Sequence, residues 1–327
     1  MKKIICIAFA ILLSLGTWVL ASSSSPGWKN RKQKVSGNTE VKRNLMLADP
    51  FVLCDDGVYY AYGTSAGNGF EVFCSDDLDC WHRHSELALD AKDSYGGRWF
   101  WAPEVYRNPS DGRFYMFYSA DEHLCVAVAD SPLGPFVQEE KEPMFQERAI
   151  DSSLFIDRDG TPYLFFVRFT DGNVIWGARL TDDWKHIDTS TLIQCVAPDT
   201  GWELKMDKVA EGPSVIERQG IYYMLYSANH YLSRYYGVGY ATSDSPLGNW
   251  TKGKENPVLC YPSDELVGTG HGSVFHDKDG QEMYVFHAHH DNANVHPRTT
   301  HAAPINIADG CVSIESDKII ELAWIRH

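Results

Sequence analysis

Asp49-Pro50-Phe51-Val52-Leu53-Cys54-Asp55-Asp56-Gly57-Val58-Tyr59-Tyr60-Ala61-Tyr62 reads as two short strands around an Asp-Gly turn. Four further copies follow, beginning at Ala102-Pro103-Glu104-Val105, Asp151-Ser152-Ser153-Leu154, Gly212-Pro213-Ser214-Val215 and His271-Gly272-Ser273-Val274. Each runs into a turn at Gly112, Gly160, Gly220 or Gly280 and then an aromatic strand such as Phe114-Tyr115-Met116-Phe117 or Tyr222-Tyr223-Met224-Leu225. With Val52, Val105, Leu154, Val215 and Val274 taken as equivalent, the steps are 53, 49, 61 and 59 residues. A blade of four short strands with its turns needs roughly 40–50 residues. The spacing therefore predicts an all-β, five-bladed β-propeller. A helical solenoid would place apolar residues every three to four positions, which these segments do not.

At the N-terminus Lys2 and Lys3 precede an apolar run, Ile4 to Leu15, that continues to Val19-Leu20-Ala21 and a serine tract. This predicts a signal peptide over 1–21, cleaved after Ala21, a polar leader over 22–41 and a single propeller domain over 42–327. The run is short for a bilayer span of about 20 residues. The expectation is a periplasmic or secreted monomer with no integral membrane span. Removing that segment leaves seven cysteines, an odd number; most sit in apolar strands as small hydrophobes, with room for one disulfide of undecided pairing. A net charge of −15 and pI near 5.2 argue against nucleic acid and acidic polymers and favour a neutral partner.

The first strand of every propeller blade lines the central channel in the same direction, so equivalent repeat positions form a ring at one end. That ring contains Asp49, Ala102, Asp151, Gly212 preceded by Glu211, and His271. Taken singly, each acid is a turn or loop residue. Together, clustered carboxylates repel one another and stabilise nothing unless their shifted protonation is used. Glu211 stands one residue out of register, so a bulge at Gly212-Pro213 is needed to turn it inward. Carboxylates facing one another across a sugar-sized pocket suit glycosidic hydrolysis, which pairs a neutral acid with an ionised base or nucleophile. Trp101, Phe100, Phe169, Trp202 and Tyr231 are the aromatic candidates for stacking on sugar, against rim packing as the alternative. His287, His289, His290, His296 and His301 lack the third ligand of a zinc motif and read as strand-end and rim histidines.

Ala48-Asp49-Pro50, Trp101-Ala102-Pro103-Glu104, Ile150-Asp151-Ser152-Ser153, Ala210-Glu211-Gly212-Pro213 and Gly268-Thr269-Gly270-His271-Gly272-Ser273, with Ser131-Pro132-Leu133-Gly134-Pro135-Phe136 and Ser245-Pro246-Leu247-Gly248-Asn249-Trp250, together resemble glycoside hydrolase family 43 from about Asp49 to Gly310. The resemblance implies Asp49 as general base, Glu211 as general acid and Asp151 as the residue that orients Glu211 and raises its pKa. It implies inversion of configuration, with a carboxyl separation of roughly 6.5–9.5 Å. Arg298 resembles the family's substrate-contacting arginine, with a surface salt bridge as the alternative. His271 resembles a channel histidine that in many members holds calcium directly or through water; one imidazole is a poor calcium signature, so calcium enters as a structural ion, with a transition-metal site at the histidine tract as the lesser alternative, and no cofactor is required. The substrate expected is arabinan or arabinose side chains, with β-xylosides and β-galactosides as alternatives. A fructan hydrolase and a non-catalytic sugar-binding propeller are the competing functions.

Overall fold

The computed structural model describes residues 41–326, so the signal peptide and nearly all of the leader lie outside the described residues. Five sheets follow one another along the chain, and their first strands are Ala48–Asp55, Trp101–Arg107, Ala149–Ile156, Ala210–Arg218 and Gly270–His276. Within each sheet, here blades I to V, the strands pair antiparallel in chain order. Each inner strand touches the next, and that of blade V touches that of blade I, which closes the ring. The architecture is the expected five-bladed β-propeller. Among the described residues no helix is long and apolar enough to cross a membrane.

Two-residue periodicity explains the packing. Along Val58–Thr64, Tyr59 and Ala61 face blade V whereas Tyr60 and Tyr62 face blade II. Repeated around the ring, this alternation yields five apolar wedges, one between each pair of adjacent sheets. The channel is left free for polar side chains. Val41–Asn44 pairs with Ala323–Arg326, and the latter docks on Trp81 of blade I through Trp81 N–H to Ala323 O at 3.0 Å and Ile325 N–H to Trp81 O at 2.9 Å. Both ends of the described chain are thereby fastened at the seam between blades V and I. Among the described residues the seven cysteines are free thiols; Cys125 is buried and Cys311 exposed.

Every inner strand carries the same irregularity at its start. Register slips between Ala48 and Phe51, Trp101 and Glu104, Ile150 and Ser153, Glu211 and Ser214, and Gly270 and Ser273, so two residues oppose one on the second strand. The first bulge residue is left-handed in each case: Asp49 (φ 49°), Ala102 (46°), Asp151 (58°), Gly212 (56°) and His271 (42°). The bulge expected only at Glu211 is thus general. Such a conformation costs about 1–3 kcal/mol for a residue with a side chain, and the bared amide is given an acceptor from the preceding blade. Asp49 N–H donates to His287 Nδ1 (3.1 Å), Ala102 to Thr64 Oγ1 (3.0 Å), Asp151 to Ser119 Oγ (3.0 Å) and His271 to Ser227 Oγ (2.7 Å). The matching position ahead of Gly212 is Val167, which has no acceptor; there the Asp151 carboxylate receives the Gly212 N–H instead.

The second bulge residue of blade V tolerates no side chain: a Cβ on Gly272 would sit 1.7 Å from Val285 O. Gly272→Ala must therefore push the inner strand off its neighbour. The expected result is a loss of at least about 4 kcal/mol of stability, read as a collapse of the thermal unfolding midpoint or failure to fold; a shift of a degree or two would contradict this packing.

Candidate active site

The bulges let consecutive residues enter one cavity of about 720 Å³ at the end of the channel where the inner strands begin. Asp49, Asp151, Glu211 and His271 all line it, together with Trp101, Tyr231 and Arg298. Asp49 and Asp151 are 9% and 6% exposed, whereas Glu211 is partly open to the cavity.

Asp49 is surrounded by positive and donor groups. Its Oδ1 accepts from Arg298 Nη1 at 2.9 Å and lies 3.3 Å from His271 Nδ1; its Oδ2 accepts from Thr64 Oγ1 at 2.7 Å. Burial alone would raise this carboxyl, but Arg298, His271, His287 and the Thr64 hydroxyl outweigh it and hold Asp49 well below the usual carboxylate range. Arg298 is therefore no surface ion pair: its side chain is 11% exposed, and its guanidinium carbon lies 4.8 Å from the Tyr231 ring centre. His287, on the second strand of blade V, is fully buried and stacked on Tyr236, and burial drives its pKa far down. Its Nδ1 accepts from the Asp49 backbone N–H at 3.1 Å, and its Nε2 lies 3.3 Å from Arg298 Nη1.

The other two acids respond oppositely. Burial, then repulsion from Glu211 and Asp49, drives Asp151 far up. Glu211 is pushed up to about 7, mainly by burial, against two donors that favour its anion: Tyr236 Oη at 2.8 Å to Oε1 and Asn173 Nδ2 at 2.9 Å to Oε2. Two buried carboxyls that repel each other do not both ionise, so the pair keeps a proton through neutral pH and titrates as a unit. The site thus holds one fixed anion beside a proton-bearing pair.

The aromatic candidates divide. Trp101 and Tyr231 line the cavity. Phe100 does not: it is 2% exposed and packs edge-on to Phe70 in the wedge between blades I and II. Trp99, on the other side of Phe100, stacks on Trp101 at 5.8 Å and is itself covered by Arg98 at 3.9 Å, bracing the cavity wall from outside. Trp202 packs against Tyr226 over Gly239, where a Cβ would be 2.6 Å from the indole; it belongs to the blade III–IV wedge. Phe169 is 42% exposed at the rim but is not part of the cavity lining.

His271 lines the cavity beside the two aspartates. Among the described residues no three His, Cys, Asp or Glu side chains converge on a point able to hold an ion. Its Nδ1 instead faces Asp49 Oδ1 and, at 3.9 Å, Asp151 Oδ2. His289 bonds Tyr231 O at 2.8 Å and His301 bonds Thr299 Oγ1 at 2.9 Å, which accounts for two more histidines of that tract.

Comparison with known proteins gives the family. A solved structure from Bacteroides thetaiotaomicron described as an endo-1,4-beta-xylanase is 52% identical, with a TM-score of 0.84 over 88% of this chain and 100% of that one. An endo-arabinase from the same organism is 29% identical, with a TM-score of 0.68 over 81% and 96%. A beta-xylosidase of Xylanibacter ruminicola is 29% identical, covering 74% of this chain and 86% of its own. The family profile described as Glycosyl hydrolases family 43 matches residues 43–312. With that match over most of its length and the family's propeller beneath it, the chain belongs to glycosyl hydrolases family 43 and is a glycoside hydrolase.

Proposed function

We propose that this hydrolase cleaves arabinose- or xylose-containing plant polysaccharides with inversion, Asp49 acting as base, Glu211 as acid and Asp151 as the residue that orients the acid. The observation that carries the reading is the opposed ionisation of carboxyls sharing one cavity: Asp49 held as an anion, Glu211 raised to about 7. A sugar ring between them receives water, activated by Asp49, on one face of its anomeric carbon. Glu211 protonates the departing oxygen on the other. The water proton passes to Asp49 and the Glu211 proton leaves with the alcohol, so both carboxyls must be reset before the next turnover. Asp151 supports Glu211 through the backbone, since its carboxyl accepts from Gly212, the next residue, while burial and the charge of Asp49 keep the acid protonated. These steps use only side chains of the chain itself. The predicted signal peptide adds the reading that the enzyme is exported.

Arabinan remains the first substrate, supported by the similarity to an endo-arabinase. β-1,4-Xylan is the second reading, favoured by the 52% identical relative described as a xylanase. Proton NMR of the first-formed product tests the mechanism and a glycoside panel tests the sugar. The expected anomer is inverted, and a retained one would overturn the base assignment to Asp49.

The same geometry sets the pH profile. kcat/KM should fall on the alkaline side as the proton leaves Glu211, with an apparent pKa near 7. Tyr236→Phe removes a donor that stabilises the anion, so the carboxyl pKa rises and the alkaline limb moves to higher pH, by about one to two units for a hydrogen bond to a charged group. A limb that stays put or moves down would place the titrating group elsewhere.

A further inference from the structure

The oxygens of Glu211 are bonded to Asn173 and Tyr236, residues at the start of the third strand of blade III and just ahead of that of blade IV. Resting on the reading above, in which acid and water work on opposite faces of the sugar, the leaving group departs on this side. The loops there are fixed to one another through their backbones. Asn173 N–H donates to Lys208 O at 2.9 Å, and a Cβ on Gly172 would lie 2.1 Å from that carbonyl. Beyond it, His230 N–H donates to Met206 O at 2.9 Å, and Lys205 and Met206 N–H both donate to Asn229 Oδ1.

On this rigid framework four large apolar side chains face water: Phe169 (42% exposed), Leu204 (44%), Met206 (39%) and Leu232 (42%). Single exposed hydrophobes are ordinary, but these four stand on segments bonded to one another and next to the cavity-lining Asn173, His230 and Tyr231: Phe169 pairs with Asn173, Met206 bonds His230, and Leu232 follows Tyr231. Arg148, paired with Glu122, lies 5.4 Å from the Phe169 ring centre and holds that ring in place. We infer that this shelf binds the leaving-group end of a neutral glycan chain, several sugars long, through contacts with its C–H faces. A chain of net charge −15 repels polyanions, and the shelf itself carries apolar groups suited to an uncharged polymer. The enzyme is thereby fitted to oligo- and polysaccharides in preference to small glycosides.

The test compares kcat/KM for a tetrasaccharide with that for its disaccharide, in the α-1,5-arabino and β-1,4-xylo series, using whichever series is cleaved. In the wild type the tetrasaccharide should be favoured at least tenfold. Phe169→Ala and the double variant Leu204→Ser/Met206→Ser should each lower that ratio at least fivefold. Ile156→Ser, equally exposed at the opposite end of blade III, should leave it unchanged. A wild-type ratio near one, or shelf variants within twofold of the wild type, overturns the shelf and leaves the hydrolytic assignment standing; a wild type inert on both series overturns the pentose-glycan reading on which the shelf rests.

Discussion

Asp49→Asn is expected to lower kcat about 10²–10⁴-fold, the range for loss of a positioned general base, and to do so equally for good and poor leaving groups. The amide keeps the shape of the carboxylate and can still accept from Thr64 Oγ1, so the inner strand should keep its bulge. What it removes is the negative charge that faces Arg298, His271 and His287. Arg298 then remains buried against a neutral group, and some loss of stability accompanies the loss of rate. Turnover of an activated glycoside and of a natural disaccharide, measured in parallel, checks this. A variant that recovers on the activated substrate would show Asp49 working on the leaving group and so reverse the assignment.

Glu211→Gln should display the complementary pattern. Sugar leaving groups need a proton as the bond breaks, and their hydrolysis should fall by about 10²–10⁴-fold. A glycosyl fluoride or dinitrophenyl glycoside needs little protonation and should lose far less. Binding should persist, since the Gln oxygen still accepts from Asn173 Nδ2, its NH2 can donate to the Tyr236 hydroxyl oxygen, and it carries no new charge. The alkaline limb near pH 7 should vanish from the residual activity, because the group responsible has been removed. Equal losses on both substrate types, or a limb that survives, would remove Glu211 from the acid role.

The hairpin repeats made the ring of inner strands legible, and register alone put Asp49, Asp151 and His271 at one end of the channel. Glu211 was legible as a misfit whose solution proved to be shared by every blade. The supporting residues were not legible. Thr64 ends a second strand, Asn173 begins a third and Tyr236 precedes another, and nothing in their surroundings marks them out, since their function depends on packing between blades. Arg298 carried no signal of its contact with an acid 249 positions away. Phe100 was not legible as a core residue: Trp99 before it is left-handed (φ 56°) and the strand begins only at Trp101, so simple alternation does not sort these three rings between cavity and core. Glu203, fully buried and bonded to Lys252 and Tyr226, shows the converse, a buried carboxylate outside the cavity that ties its loop to two strands of blade IV.

The clasp at Trp81 has a kinetic corollary. Asp49 stands on the first blade and its three cationic or imidazole neighbours on the fifth, so the electrostatic cradle of the nucleophilic water spans the one junction that the covalent chain does not bridge. In a denaturant series, parting of that junction would silence turnover while four wedges of side chains still hold their sheets together. Inactivation should therefore precede the loss of ultraviolet circular dichroism, and weakening the clasp should widen the gap between the two curves.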